Sequence, residues 1–192
     1  MGMKPAWAAV VFGGLLAAAA CTSAKSPEER PEGFATPEHH PVTAELVVEH
    51  ASIQPGGSTR LGVHFEMEKG WHIYGKEPGD AGLPTKITWA SSPEGVASFG
   101  PIRWPPYKEF RDPGNIRTFG YSAAVVLSSP LTLTPVIHRS FETLLLHAHV
   151  QWLACKDICI PGSADLELAL PVSAAPPAFS THAQLFEHTD AP

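Results

Sequence analysis

Between Phe141 and Gly162 the chain runs Phe-Glu-Thr-Leu-Leu-Leu-His-Ala-His-Val-Gln-Trp-Leu-Ala-Cys-Lys-Asp-Ile-Cys-Ile-Pro-Gly. Leu144, Leu146, Ala148, Val150 and Trp152 occupy alternate positions, with Thr143, Leu145, His147, His149 and Gln151 between them. Side chains of an extended strand point to opposite faces in turn, so a period of two predicts a long strand with one face in a core. No sustained helical repeat occurs here or elsewhere after the first twenty residues.

The same alternation recurs on both sides of this stretch. Leu46 and Val48 alternate with Glu45, Val47 and Glu49. After the turn Gln54-Pro-Gly-Gly57, Leu61, Val63 and Phe65 alternate with Arg60, Gly62, His64 and Glu66. Ile87 and Trp89 alternate with Lys86 and Thr88, and Leu166, Leu168 and Leu170 with Asp165, Glu167 and Ala169. Pro93, Pro101, Pro105, Pro106, Pro113, Pro130 and Pro135 cut the chain into short pieces. Many short strands joined by Gly/Pro turns predict an all-β, immunoglobulin-like antiparallel β-sandwich, with a closed barrel as the alternative.

Length and composition fit one such domain with tails. The 192 residues include 19 acidic and 13 basic side chains, a formal charge of -6. That balance excludes a nucleic-acid partner, because phosphate binding needs a concentrated basic surface. Hydrophobic residues make up 44%, enough to bury a single core.

Residues 1–20 are expected to be a signal peptide. Met1 to Lys4 is a short positive start, and Ala6 to Ala20 is an apolar run below the roughly twenty residues of a bilayer span. The run leads into Cys21 and resembles the lipobox of bacterial lipoproteins, with Ala18 where Leu is usual. Cys21 is accordingly expected to carry lipid, and Thr22 after it fits passage to the outer membrane. Residues 21–41, rich in Pro, Glu, Ser and Thr, are expected to form a flexible lipid-attached tether. Residues 42–171 are then the sandwich domain and residues 172–192 a mobile tail. Export places the domain in a periplasmic setting, where paired thiols oxidise. With Cys21 lipidated, Cys155 and Cys159 remain as a pair by elimination and by spacing.

Two cysteines four positions apart meet the distance a disulfide needs if the chain between them turns tightly. So short a loop stabilises by only about 2 kcal/mol on the chain-entropy model, which suits reversible oxidation better than stapling. A purely structural local disulfide in a lipoprotein adaptor is the competing reading. A third is a Cu or Zn site in which His147 and His149, on one strand face, join Cys155 and Cys159. Two aromatic stretches add shielding candidates. Lys69 to Thr85 is a strand dense in rings that runs into a Gly/Pro loop, and in Arg117-Thr118-Phe119-Gly120-Tyr121 two rings flank a glycine. Hydrolase chemistry finds no support, since G-x-S-x-G, H-E-x-x-H and phosphate-binding Gly loops are all missing from the sequence.

Four motifs stand in order: Gly70-Trp71-His72-Ile73-Tyr74, the loop Pro78-Gly-Asp-Ala-Gly-Leu-Pro-Thr85, Phe119-Gly120-Tyr121, and Trp152 to Gly162. Together they resemble the N-terminal periplasmic domain of the thiol:disulfide interchange protein DsbD, and more closely its stand-alone relatives with a C-x-x-x-C pair. The resemblance spans Pro41 to Pro171. It implies an immunoglobulin-like fold whose two cysteines shuttle electrons with no cofactor and no metal. Cys159 matches the attacking thiol that forms the mixed disulfide, Cys155 its resolving partner, and Phe119 and Tyr121 an aromatic cap. The implied partners are a thioredoxin-like electron donor fed by a membrane electron conduit, and oxidised periplasmic thioredoxin-fold proteins or disulfide isomerases as clients. Polytopic helices and a thioredoxin domain are not among these 192 residues, so the donor is expected to be a separate molecule. Acidic residues precede the cap aromatic in the best-known members, where this chain has Arg117 and Thr118.

Overall fold

The computed structural model describes residues 39–112, 114–135 and 141–187. The expected signal peptide, Cys21 and most of the expected tether lie outside the described residues. Among the described residues ten strands follow one another: β1 (Val42–Val48), β2 (Ser58–Met67), β3 (His72–Gly79), β4 (Lys86–Ser92) and β5 (Ala97–Phe99), then β6 (Lys108–Asp112), β7 (Ile116–Ser122), β8 (Ala124–Leu133), β9 (Thr143–Cys155) and β10 (Cys159–Pro171). A short 3-10 helix, Ala183–Phe186, closes the described chain. Among the described residues no helix is long and apolar enough to cross a membrane.

The strands form two antiparallel sheets. One has the order β1-β2-β8-β5, and the other β10-β9-β3-β7-β6 with β4 also paired to β9. Two separate sheets facing each other make the chain an all-β, immunoglobulin-like sandwich, and the closed-barrel alternative is set aside. The strand foreseen from Phe141 onward is β9, and it organises the second sheet. Along one edge it pairs with β10 from Thr143↔Pro171 to Cys155↔Cys159. Along the other it pairs with β4 over Leu145 to Gln151, and with β3 at Ala154 and Cys155.

The core lies between the sheets, where the alternation placed it. Leu144, Leu146, Ala148, Val150 and Trp152 of β9 are buried against Leu61, Val63 and Phe65 of β2 and Leu127, Leu131 and Leu133 of β8. Each such Leu, Val or Phe contributes about 1.5–3 kcal/mol when removed from water. Leu166 and Leu168 of β10 are only half-buried, as expected at a sheet edge.

The segment after Pro171, expected to be a mobile tail, packs back on the outer face of the four-stranded sheet as far as Glu187. Ala51 N–H donates to Ala178 O at 2.9 Å and Ser180 N–H to Glu49 O at 2.9 Å, while Phe179 stacks on His50. Phe186 is fully buried against Val47 and Val126. Its aromatic side chain explains the departure: an apolar ring attached to a short helix finds an uncovered apolar patch and removes it from water. Arg60 fastens this strap. It donates two hydrogen bonds to the Glu49 carboxylate (2.9 and 2.6 Å), one to Phe186 O (3.0 Å), and lies over the Phe186 ring. Arg60→Met, which keeps the aliphatic stem, is expected to lower unfolding free energy by about 2 kcal/mol in urea titrations.

Candidate functional site

Cys155 ends β9 and Cys159 begins β10, and the two are directly opposed in the antiparallel register. They form a disulfide with a Cα–Cα distance of 4.1 Å. Lys156, Asp157 and Ile158 make the turn, which Lys156 N–H closes by donating to Ile158 O at 3.0 Å. The local sequence accounts for this hairpin end. Trp152 and Ala154 anchor β9 in the core, and Cys155, next along the strand, is buried on the opposite face, across from His72. Opposite Trp152 stands Gly162, where a side chain would lie 2.5 Å from the indole nitrogen, and only glycine lets the strands close over that ring.

The two sulfurs are not equivalent. Cys155 is 2% exposed, whereas Cys159 is exposed and follows Ile158, itself 65% exposed.

Directly opposed residues in an antiparallel pair stand on the same face of the sheet, with Cβ atoms about 4.5–5.5 Å apart. His72 of β3 opposes Cys155 on one side and Ser122 of β7 on the other, so the three share a face. The His72 ring is buried, stacks on Phe110 of β6 (centroids 4.4 Å apart, planes 10° apart) and meets Tyr74 edge-on at 5.3 Å. Phe110 opposes Thr118, which alternates with Ser122 through Gly120, so Phe110 is on this face too.

Phe119 and Tyr121 lie on the opposite face of β7. Tyr121 opposes Ile73, is buried in the main core cluster and donates its hydroxyl hydrogen bond to Pro105 O at 2.7 Å. Burial pushes its phenol well above the ordinary range, and Tyr107 adds to the shift. Phe119 is half-buried between the Tyr107 ring and the Arg117 guanidinium. Strand parity thus sets Phe119 and Tyr121, the residues expected to cap the pair, on the face of β7 away from Cys155, and the rings on the Cys155 side are Phe110 and Tyr74. Nor is Gly120 a flexible hinge: it sits within β7, where a side chain would overlap the Ile73 carbonyl oxygen of β3.

The metal alternative also meets the geometry. His147 and His149 do share the outer face, but each faces a carboxylate of β10. His147 Nδ1 is 3.2 Å from Glu167, and His149 Nδ1 is 2.6 Å from Asp165. Six residues of strand, about 20 Å, separate His149 from Cys155. Among the described residues no three His, Cys, Asp or Glu side chains come together as a metal-holding group.

The family model described as thiol:disulfide interchange protein DsbD, N-terminal, matches residues 41–171. No curated protein matches the chain. Among solved structures, the N-terminal periplasmic domain of ScsB from Proteus mirabilis is similar at 20% identity and a TM-score of 0.55. That alignment covers 81% of this chain and 57% of the ScsB chain, so this chain spans little more than half of its relative. The DsbD N-terminal domain of Neisseria meningitidis in its reduced form is matched at 16% identity and a TM-score of 0.28, over 70% of this chain and 89% of that one. With a pair of opposed cysteines, a two-sheet sandwich and a family match over the whole sandwich, the chain belongs to the DsbD N-terminal family of thiol:disulfide interchange domains.

Proposed function

We propose that Cys155 and Cys159 carry electrons from a thioredoxin-like donor, itself fed by a membrane electron conduit, to oxidised periplasmic thioredoxin-fold proteins or disulfide isomerases. The observation that carries this reading is the unequal exposure of two bonded sulfurs at one hairpin end: Cys155 buried, Cys159 open. Exchange proceeds by thiolate attack through a mixed disulfide, so one sulfur must be open to a protein partner and the other held within reach to resolve the intermediate. Cys159 takes the first role and Cys155 the second. In the forward cycle the donor thiolate attacks Cys159, the Cys155–Cys159 bond breaks, and the donor's second thiol releases the reduced pair. The Cys159 thiolate then attacks a client disulfide, and Cys155 displaces the reduced client. In this reading the domain works in the periplasm, with lipid on Cys21 holding it at a membrane.

Phe110 is the shield of the reduced pair. Its ring covers His72, the neighbour of Cys155, on the sulfur side of the sheet. Phe110→Ala is expected to speed alkylation of the reduced cysteines by iodoacetamide by about tenfold, followed by mass spectrometry. Phe119→Ala, on the other face, should leave that rate unchanged. Equal rates in the wild type and Phe110→Ala would remove the shield.

A further inference from the structure

Cys155 is the sulfur that water reaches least, at 2% exposure. Yet exchange requires it to be a thiolate twice: when it leaves as the internal disulfide opens, and when it attacks the mixed disulfide. Burial disfavours the thiolate, so a nearby group that gives and takes one proton would lower both barriers. The register supplies that group. His72 directly opposes Cys155 on the same face, and its imidazole is the side chain whose ordinary titration range suits proton exchange near neutrality. Phe110 of β6 and Tyr74 of its own strand touch the ring, Cys155 of β9 and Ser122 of β7 oppose His72 in register, and Lys108 of β6 reaches Ser122. Lys108 directs its ammonium to the Ser122 hydroxyl at 3.4 Å. The Phe110 face, stacked on the imidazole, offsets part of the cost of an imidazolium at a buried site.

We infer that His72 is the proton partner of Cys155, an inference that rests on the exchange reading above. In the oxidised domain a donor thiolate attacks Cys159 Sγ. The donor–Cys159 bond forms, the Cys155–Cys159 bond breaks, and Cys155 leaves with the electron pair. The Cys155 thiolate takes a proton from the His72 imidazolium. The donor's second thiolate then attacks the donor sulfur of the mixed disulfide and expels Cys159 as a thiolate, so the donor leaves oxidised and the domain holds its two electrons. On delivery the Cys159 thiolate attacks a client disulfide and expels one client sulfur. Cys155 returns its proton to neutral His72, attacks Cys159 Sγ and expels the second client sulfur as a thiolate. One proton thus moves back and forth between two buried side chains, while the thiolates released to solvent take their protons from water.

The reaction of reduced protein with the aromatic disulfide dithionitrobenzoate separates the two sulfurs. A first coloured thiolate reports attack by Cys159, and a second reports resolution by Cys155. His72→Gln is expected to slow the second release about a hundredfold near neutral pH while leaving the first within about twofold. The remaining rate should then climb about tenfold per pH unit, as for a thiol that must ionise unaided, whereas the wild-type rate levels off above the imidazole titration. His72→Tyr keeps a ring against Phe110 and should show the same loss, which separates proton transfer from packing. A second release at the wild-type rate, or slowed but with the wild-type pH profile, would overturn the proton role. Absence of the first release in all three proteins would instead overturn the exchange reading, and this inference with it.

Discussion

Cys155→Ala is expected to remain covalently joined to its redox partners, giving at least about ten times more mixed disulfide than the wild type, while Cys159→Ala traps none. The asymmetry follows from burial. A partner disulfide can approach the exposed Cys159, and without Cys155 nothing within the domain displaces the product. Removing Cys159 leaves a thiol on a residue that is 2% exposed and flanked by β3 and β10, out of reach of a folded partner. Non-reducing gels of the two variants expressed in a periplasm, with mass spectrometry of the adducts, make the comparison. Equal trapping by both variants, or by neither, would contradict the assigned order of attack.

Gly120→Ala is expected to cost about 4 kcal/mol, a large part of the 5–15 kcal/mol that holds a typical domain folded. An added Cβ would lie on the Ile73 carbonyl oxygen, 2.9 Å from Ile73 C and 3.0 Å from Tyr74 Cα, all of it backbone that no rotamer change can clear. β3 and β7 would have to separate beside His72, so the same substitution should also disturb the setting of Cys155. Thermal unfolding followed by circular dichroism measures the loss. An unchanged midpoint would show that β7 is less tightly seated on β3 than the register indicates.

The contrast between β9 and β7 shows what a sequence can and cannot disclose. Along β9 every second residue from Leu144 to Trp152 is apolar, and the pleat alone converts that pattern into a buried face. The cysteine pair was equally legible, because four residues of separation confine the two sulfurs to one turn whatever the rest of the chain does. The face that Phe119 occupies was not legible, because it depends on parity and on which strands become adjacent. Both arise from pairings between residues 39 or more positions apart. A local signal for Phe110 did exist. Asp112-Pro113-Gly114-Asn115 between two short runs is a hairpin pattern, and it sets Phe110 across from Thr118. His72 had no such signal. Its meaning comes from β3 lying between β9 and β7, a long-range arrangement that no spacing encodes. The tail was misjudged for a simpler reason. Its Pro and Ala content hid Leu185 and Phe186, which pack on Val47 and Val126, and Phe179, which stacks on His50.

The reduction potential of the Cys155–Cys159 bond, obtained by equilibrating the oxidised protein with thioredoxin and quantifying alkylated cysteines by mass, bears most directly on the role of this domain. A relay carrier should equilibrate with thioredoxin at a value less negative than about -300 mV, with both cysteines freed and alkylated together. A bond that stays closed against excess reduced thioredoxin would mark a fixed structural link and contradict the electron-carrying role.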